Sequence, residues 1–437
     1  MALSHHASLA ARLLETAGLL RVVAKWSAQV LLLLLPGILM LPGCDTVHSD
    51  SPPQAIGVSA QDRLDRGLAV AAQYLIDHQD ADGAWRSDTY GVFKDGPSLT
   101  PLVLETLLAL PATEKSELAC RKGAAYLARL VRGDGIIDEG PHGLSYPVYT
   151  AVFAVRALSR PQMMEFRQAR DAWLRFLRQR QLTEELGWQP TDKQYGGWGY
   201  SAHIPRKPRS GEPLQPLTES NLSATTFALE ALQAAGCSPE DPAFKRALIF
   251  VQRCQNYSGE VSEADVAFDD GGFFFIYDDS VRNKAGSAGK DRHGRERFSS
   301  YGSTTADGVR SLLACGLPSD HPRVQAARTW LVNNFRPSVH PGKYGPDREM
   351  NRQAVYFYYC LSVAKAFDAL GAKEIKTGVG YLNWAHEVFE DLLKRQQPDG
   401  SWINSAVAVR EDDPVVATCL ATQTLMLCRS AIQKEQR

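Results

Sequence analysis

The sequence has no excess of charge of either sign, since its 437 residues include 48 Lys and Arg against 49 Asp and Glu. Nucleic-acid-binding proteins usually carry a basic excess that neutralises phosphates, so we expect no nucleic-acid partner. Hydrophobic residues make up 44% of the chain and charged residues 22%, as in ordinary globular proteins. This composition excludes a disordered or collagen-like chain.

The N-terminal segment lacks an apolar run long enough to cross a membrane, which takes about 20 helical residues. Its apolar run, Val30 to Leu41, is about 12 residues long and follows Arg12, Arg21 and Lys25. Basic residues, a short apolar run and small residues before a cleavage point are typical of a secretory signal. The segment therefore predicts export of the protein from the cytoplasm.

The apolar run ends in Leu41-Pro42-Gly43-Cys44, which resembles the signal of bacterial lipoproteins, where the cysteine is lipidated. That resemblance implies a signal peptide over residues 1–43 and a lipid anchor on Cys44 in a membrane of the cell envelope. Residues 44–62 are then a tether, followed by one domain over residues 63–437. The alternative is an ordinary secretory signal in which Cys44 has no role.

Runs of alternating Val, Ile and Thr, which are typical of strands, do not stand out, and two kinds of helix repeat instead. The first kind has one apolar stripe and a charged face, and the second is apolar or small on nearly all sides. Helices of the first kind are predicted near residues 64–75, 119–131, 168–181, 243–255, 323–335 and 385–397. Helices of the second kind are predicted at 99–110, 146–158, 221–235, 302–315, 353–367 and 414–428.

One-sided helices that alternate with fully buried helices predict two concentric rings, with the buried set inside. Six such hairpins close as an all-α (α/α)6 barrel, or toroid, which carries long loop insertions at residues 187–220 and 256–300. The alternative is an open solenoid, which normally needs polar capping repeats at its ends. We expect the toroid, as a monomer.

Short glutamine–tryptophan segments follow the first and last helices of the charged kind. One contains Gln79, Gly83 and Trp85, and the other contains Gln397, Gly400 and Trp402. Glycine can adopt the positive φ that a turn after a helix needs, and the tryptophan can return to pack on the helix end. We therefore expect these six residues to be structural. Gln181 with Trp198, and Gln255 with Phe273, look like degenerate copies.

These repeats resemble the Gln-x3-Gly-x-Trp repeats of squalene–hopene cyclases and of the β subunits of protein prenyltransferases. Residues 301–308, Tyr-Gly-Ser-Thr-Thr-Ala-Asp-Gly, are also similar to inner-helix repeats of bacterial proteins in that superfamily. The resemblance covers roughly residues 64–430. It implies an α/α toroid with a central cavity and an isoprenoid-like ligand, although a shared fold does not specify a reaction.

The catalytic groups of those enzymes are missing from the sequence. The cyclases protonate an alkene with an Asp-x-Asp-Asp acid, and this chain has only aspartate pairs, at 269–270, 278–279 and 412–413. The Asp-x-Cys of the prenyltransferase zinc site and the Gly-Cys-Gly-Glu-Gln thioester of other toroids are absent too. We therefore expect no squalene cyclisation, no metal and no other cofactor.

Aromatic residues of the loops and inner helices are the candidate wall of the central cavity. Trp198, Tyr200, Tyr301, Tyr356 and Tyr359 would suit a small hydrophobic or glycan ligand. The alternative is that the tyrosines near 356–359 only fill the centre of the barrel.

Asp269 and Asp270 are the first candidates for a catalytic role, because they directly precede Gly-Gly-Phe in an acidic loop. From Glu260 to Asp279 this loop has seven acids and no Lys or Arg. Such a run can bind Ca²⁺, but more often it is a solvated loop. The sequence leaves open three functions: an isoprenoid-binding toroid that acts on its ligand or only holds it, a polysaccharide lyase or hydrolase, and a non-catalytic interaction scaffold.

Overall fold

The structure is a computed structural model that describes residues 59–140, 143–259, 267–378, 380–406 and 409–435. The predicted signal, Cys44 and most of the predicted tether lie outside the described residues, as do residues 260–266 of the acidic loop.

Six helical hairpins make up the described chain, each formed by an outer helix and the inner helix that follows it. The outer helices are α1 (Ala60–Asp77), α3 (Glu114–Arg129), α5 (Arg167–Arg178), α7 (Pro242–Arg253), α9 (Pro322–Asn334) and α12 (Trp384–Arg395). The inner helices are α2 (Thr100–Ala109), α4 (Pro147–Leu158), α6 (Leu222–Ala234), α8 (Gly302–Ala314), α11 (Tyr356–Ala369) and α13 (Pro414–Glu435). The short helix α10 (Asn351–Ala354) precedes α11.

Two small antiparallel hairpins lie in the connections. Strand β1 (Ser287–Lys290) pairs with β2 (Glu296–Phe298), and β3 (Ile375–Thr377) pairs with β4 (Gly380–Leu382). The described chain is otherwise helices, turns and loops, so the predicted all-α class is confirmed.

The inner helices form a closed ring. Helix α2 contacts α4, α4 contacts α6, α6 contacts α8, α8 contacts α11, α11 contacts α13, and α13 returns to contact α2. Ten of the 13 residues of α6 are buried, whereas the outer helix α7 buries five of its 12. The predicted (α/α)6 barrel is therefore confirmed, and the open solenoid is not the observed fold.

Helix α13 is the one described segment that is long and apolar enough to span a membrane by its composition, over Pro414–Lys434. Most of that segment is buried inside the protein as the sixth inner helix. Enclosure by neighbouring helices is a sufficient physical reason for its apolar character.

The glutamine–tryptophan segments join neighbouring hairpins. The Nε2 atom of Gln79 donates to the carbonyl of Gly83 in its own loop at 3.0 Å and to the carbonyl of Ala119 in α3 at 2.9 Å. The indole N–H of Trp85 donates back to the carbonyl of Leu75 in α1 at 2.6 Å. Each polar group that the turn buries is therefore paired, and two outer helices are tied together.

The last segment uses the same geometry to close the ring. The amide of Gln396 donates to the carbonyls of Gly400 and of Gly67 in α1, at 3.0 and 2.9 Å. This role lies one residue before the predicted Gln397, because four positions separate Gln396 from Gly400, as they separate Gln79 from Gly83. The amide of Gln397 instead donates to a carbonyl of its own helix end, at 3.4 Å.

The glycines of these segments lie against the neighbouring outer helix. Gly83 has φ +90°, and a Cβ there would lie 2.5 Å from the carbonyl oxygen of Lys122. Gly400 has φ +92°, and a Cβ there would lie 2.5 Å from the carbonyl oxygen of Val70. Both the positive φ and the close approach require glycine at these positions.

We expect Trp85→Ala and Trp402→Ala each to lower the free energy of unfolding by about 3–5 kcal/mol, because each removes a large, fully buried aromatic side chain. Chemical denaturation of the purified variants measures this loss. Tyr381→Ala is the control, since Tyr381 is 69% exposed and its loss should change stability by about 0.5 kcal/mol or less. Tryptophan variants as stable as this control would show that these segments do not hold the hairpins together.

Candidate functional site

Five inner helices each place a charged side chain at the centre of the ring, in the second half of the helix. These five residues, which we call the charged belt, are Glu105, Arg156, Glu230, Arg310 and Lys365. Their side chains are between 3% and 19% exposed. Charged groups withdrawn from water to this extent must be paired with one another, and the belt residues are.

Glu230 is the common partner of the three cations. Its Oε2 atom accepts from Arg156 Nη1 at 2.8 Å and from Lys365 Nζ at 3.1 Å. Its Oε1 atom accepts from the Arg310 guanidinium, whose Nε lies at 2.8 Å. Arg156 also bridges to Glu105 Oε1 at 2.5 Å. One carboxylate therefore holds side chains from α4, α8 and α11 in place.

An aromatic ring lies among the three cations. The centroid of the Phe227 ring is 6.0 Å from Arg156 Cζ, 5.5 Å from Arg310 Cζ and 5.6 Å from Lys365 Nζ. A ring face attracts cations, and Phe227 itself is buried in α6. The belt is thus bounded on one side by an apolar residue that excludes water.

The belt shifts the pKa values of two of its members. Burial raises the pKa of Glu230, but the charges of Arg310, Lys365 and Arg156 outweigh burial and hold it well below its ordinary value. Burial lowers the pKa of Lys365 and the charge of Arg156 lowers it further, so that it falls to about 8 although Glu230 raises it. Glu230 is therefore ionised at neutral pH, and Lys365 is the belt cation that can lose its proton.

The belt lines a cavity of about 630 Å³ at the ends of the inner helices. This volume is within the usual range for small-molecule sites. The exposed side chain of Arg160 and Asp368, which pairs with Lys434 at 2.8 Å, are also part of the lining. Glu105, in the wall, has an Oε2 atom without a hydrogen-bond partner among the described residues. The cavity is therefore lined by charged and polar residues, and one buried carboxylate oxygen in its wall has no partner among the described residues.

The other half of the ring, near the beginnings of the inner helices, is filled by side chains. Asp307 accepts hydrogen bonds there from Tyr358 Oη at 2.6 Å, Ser223 Oγ at 3.0 Å and Ser362 Oγ at 2.8 Å. It also pairs with Arg310 at 2.7 Å, so this network lies directly beneath the belt.

Tyr200 is the predicted wall residue that lies closest to this filled centre. Its hydroxyl is 3.0 Å from that of Tyr149 in α4, and its ring is 6.4 Å from that of Phe275. These aromatic residues come from α4 and from the two long connections. They occupy the end of the ring where these connections enter the inner helices.

The other predicted wall residues lie away from the belt cavity. Trp198 is buried, and its indole N–H donates to the carbonyl of Leu177, as in the glutamine–tryptophan segments. Tyr356 donates to Asp391 Oδ2 of the outer helix α12 at 2.5 Å. The structure therefore does not bring these two residues together around one ligand site.

Tyr301 and Tyr359 pack on a buried histidine. Their ring centroids lie 5.5 and 5.2 Å from that of His340. Burial lowers the pKa of His340 to about 3, so the ring is neutral and its Nε2 atom accepts from the backbone N–H of Ser303. His340 thus gives a hydrogen-bond partner to one of the backbone N–H groups that the first turn of α8 leaves unpaired within the helix.

Asp269 and Asp270 make turn-stabilising hydrogen bonds. Asp269 accepts from the backbone N–H and the hydroxyl of Ser258, both at 2.8 Å. Asp270 accepts from Ser300 Oγ at 2.7 Å and from the indole N–H of Trp330 at 3.1 Å. Neither residue lines the belt cavity. Among the described residues, no three His, Cys, Asp or Glu side chains form a group that could hold a metal ion.

Sequence reasoning missed the charged belt, because its members are separated along the chain and each stands in a helix with few charges. The usable signal was a charge in the second half of each of five apolar helices, which stands alone there in four of them and is followed by Asp368 in α11. A lone charge in a fully buried helix needs a partner on a neighbouring helix, and those five positions supply opposite signs.

We expect Glu230→Gln to lower the free energy of unfolding by about 3 kcal/mol, because it leaves three buried cations without their shared carboxylate. Denaturant unfolding of the variant and the wild type measures the difference. Glu240→Gln is the matched control: Glu240 is 82% exposed and pairs only with the exposed Lys245, so its loss should cost less than about 1 kcal/mol. Equal stabilities of the two variants would contradict a central role for Glu230.

No protein-family model and no curated protein matches the chain. Similar solved structures include the apo type II terpene cyclase MstE from Scytonema, with 14% identity, 84% of this chain and 98% of that chain covered, and a TM-score of 0.49. A protein from Actinoplanes is 14% identical, with 84% of this chain and 99% of that chain covered and a TM-score of 0.49. The GH76A alpha-1,6-mannanase from Salegentibacter sp. HEL1_6 is 10% identical, with 84% of this chain and 99% of that chain covered and a TM-score of 0.46. At such low sequence identities and TM-scores, the similarity assigns neither a ligand nor a reaction to this chain.

Proposed function

We propose that the protein is a toroid that binds a small polar ligand of the glycan class in the belt cavity. The observation that carries this proposal is the charged belt itself, which surrounds a cavity of ligand size with paired donors and acceptors. Sugar hydroxyls both donate and accept hydrogen bonds, so they match such a lining better than a hydrocarbon does.

One belt group has hydrogen-bonding capacity left for a ligand. Lys365 Nζ bonds Glu230 alone among the described acceptors, so two of its three N–H groups are available. Glu105 Oε2 has no partner among the described residues either, but it is buried in the wall and does not face the open space. A ligand hydroxyl that accepts from Lys365 therefore uses the free capacity of the site.

An isoprenoid-like ligand is the second candidate, and the aromatic filling around Tyr149, Tyr200, Phe227 and Phe275 favours it. These rings form a hydrophobic surface of the kind that binds a hydrocarbon. Binding there requires the rings to move apart, because they pack against one another at the centre of the barrel.

A glycoside hydrolase with two carboxylates is less consistent with the belt. Such an enzyme needs one protonated carboxylic acid as its general acid. Glu230 is held ionised by three cations, which suits it to anchor side chains and not to donate a proton.

We expect a panel of mono- and disaccharides to include compounds that bind the purified full-length chain and raise its melting temperature, because a ligand that binds only the folded state stabilises it. Lys365→Met should weaken binding about 10- to 100-fold, the cost of one hydrogen bond to a charged group. Isothermal titration calorimetry measures the dissociation constants. Lys245→Met is the control, since that lysine is exposed and far from the cavity lining.

Squalene and a geranylgeranyl compound complete the ligand panel. Binding of these compounds without saccharide binding, together with weakening by Tyr200→Ala, would replace the glycan proposal with the isoprenoid one. A chain that binds neither class would favour the interaction scaffold.

We also propose that the protein is an exported lipoprotein anchored through Cys44, on the strength of Leu41-Pro42-Gly43-Cys44 after its short apolar run. The mature protein should then fractionate with membranes, and Cys44→Ser should leave an unprocessed or mislocalised precursor. Mass spectrometry of the mature N-terminus measures the modification. A free terminus between residues 49 and 61 without lipid would contradict the proposal and favour an ordinary secretory signal.

A further inference from the structure

Lys365 is the one amine that the described residues place in the lining of the belt cavity. It lies on α11 with its side chain 15% exposed, next to the open space. The other cations of the wall are guanidinium groups, which do not deprotonate in proteins. Lys365 is therefore the only nucleophilic nitrogen that this wall can present to a ligand.

Burial has the largest effect on Lys365 and favours its neutral amine, and the charged groups around it come from four helices and act in both directions. Arg156 on α4 and Arg310 on α8 converge on the same carboxylate as Lys365 and repel its positive charge, whereas Glu230 and Glu105 attract it. Burial together with the two arginines outweighs the two glutamates, so the pKa of Lys365 falls to about 8. A substantial fraction of Lys365 is then neutral in mildly alkaline solution.

We propose that Lys365 forms an imine with a ligand that carries an aldehyde or ketone group, such as the open-chain form of a sugar. This inference rests on the proposed polar ligand and names the functional group that the cavity recognises covalently. The lysine is held by Glu230 at 3.1 Å and flanked by Phe227, so its amine has a fixed position in the wall. Lowered basicity in a partly desolvated pocket is what makes a lysine reactive toward carbonyls.

The reaction involves only the lysine amine and the carbonyl group of the ligand. The neutral Lys365 nitrogen attacks the carbonyl carbon, a C–N bond forms, and the oxygen takes a proton to give a carbinolamine. Loss of the hydroxyl as water and of the remaining N–H proton leaves the C=N bond. The net change is amine plus carbonyl to imine plus one water, and it needs no oxidant or reductant. Hydrolysis reverses the step and releases the ligand.

The test is reductive trapping on the full-length chain with glyceraldehyde and sodium cyanoborohydride, followed by peptide mass spectrometry. A pKa near 8 gives about a 100-fold larger neutral fraction at pH 7.5 than that of an ordinary lysine. We therefore expect Lys365 to be modified at least about tenfold faster than Lys94 and Lys245, whose side chains are 59% and 68% exposed. This advantage should shrink as the pH rises from 7.5 to 10.

Modification of Lys365 no faster than of the two exposed lysines would overturn the proposal. Because all three rates are read from the same folded wild-type sample, the result does not depend on the stability of a variant. Lys365→Arg checks the assignment of the adduct. Fast trapping of Lys365 without saccharide binding in calorimetry would support the reactive amine and contradict the glycan ligand. Saccharide binding with an unreactive Lys365 would support the glycan ligand and contradict imine formation.

Discussion

The glutamine amide at the end of an outer helix donates one hydrogen bond to its own loop and one to the next outer helix, and the closed ring depends on this pattern. It occurs at Gln79, Gln181, Gln255 and Gln396, so it links the first hairpin to the second, the third to the fourth, the fourth to the fifth and the sixth to the first. The bond from Gln396 to Gly67 joins the last outer helix to the first. Because the ring closes there, α13 has an inner helix on each side and needs no polar cap.

Closure of the ring has a consequence for the side chains inside it. Inner helices that surround one another leave little water for a charged group at the centre, so each belt charge is paired with an opposite one on another helix. Glu230 meets this requirement for three cations at once. One of them, Arg310, also forms an ion pair with Asp307. The polar centre of the protein is thus a continuous network from the cavity wall to the tyrosine hydroxyl of Tyr358. A ligand in the cavity meets groups that are already fixed in position.

The fold was predictable because the amino-acid composition of a helix indicates how much of its surface is buried. Segments such as 221–235 have almost no charges, and a helix of that kind is stable only when other helices surround it. The site was not predictable in the same way, since the pairs Arg156–Glu230 and Arg310–Glu230 join residues on different helices. Trp198 shows a related difficulty: the sequence indicated both a structural repeat and a cavity wall, and its hydrogen bond to Leu177 is that of the repeat.

The two ends of the ring differ because the connections differ in length. The connections that lead into the inner helices include residues 179–221 and 254–301, and their side chains Tyr200 and Phe275 fold over that end and fill it. The connections that leave the inner helices are shorter, as at 110–113 and 235–241, and the longest that lies between described helices, 370–383, contains the β3–β4 hairpin. Space therefore remains at the ends of the inner helices, where the wall is made by the helices themselves. A site on regular helices holds its charges more rigidly than one on long loops, which suits the belt to recognise a small polar ligand.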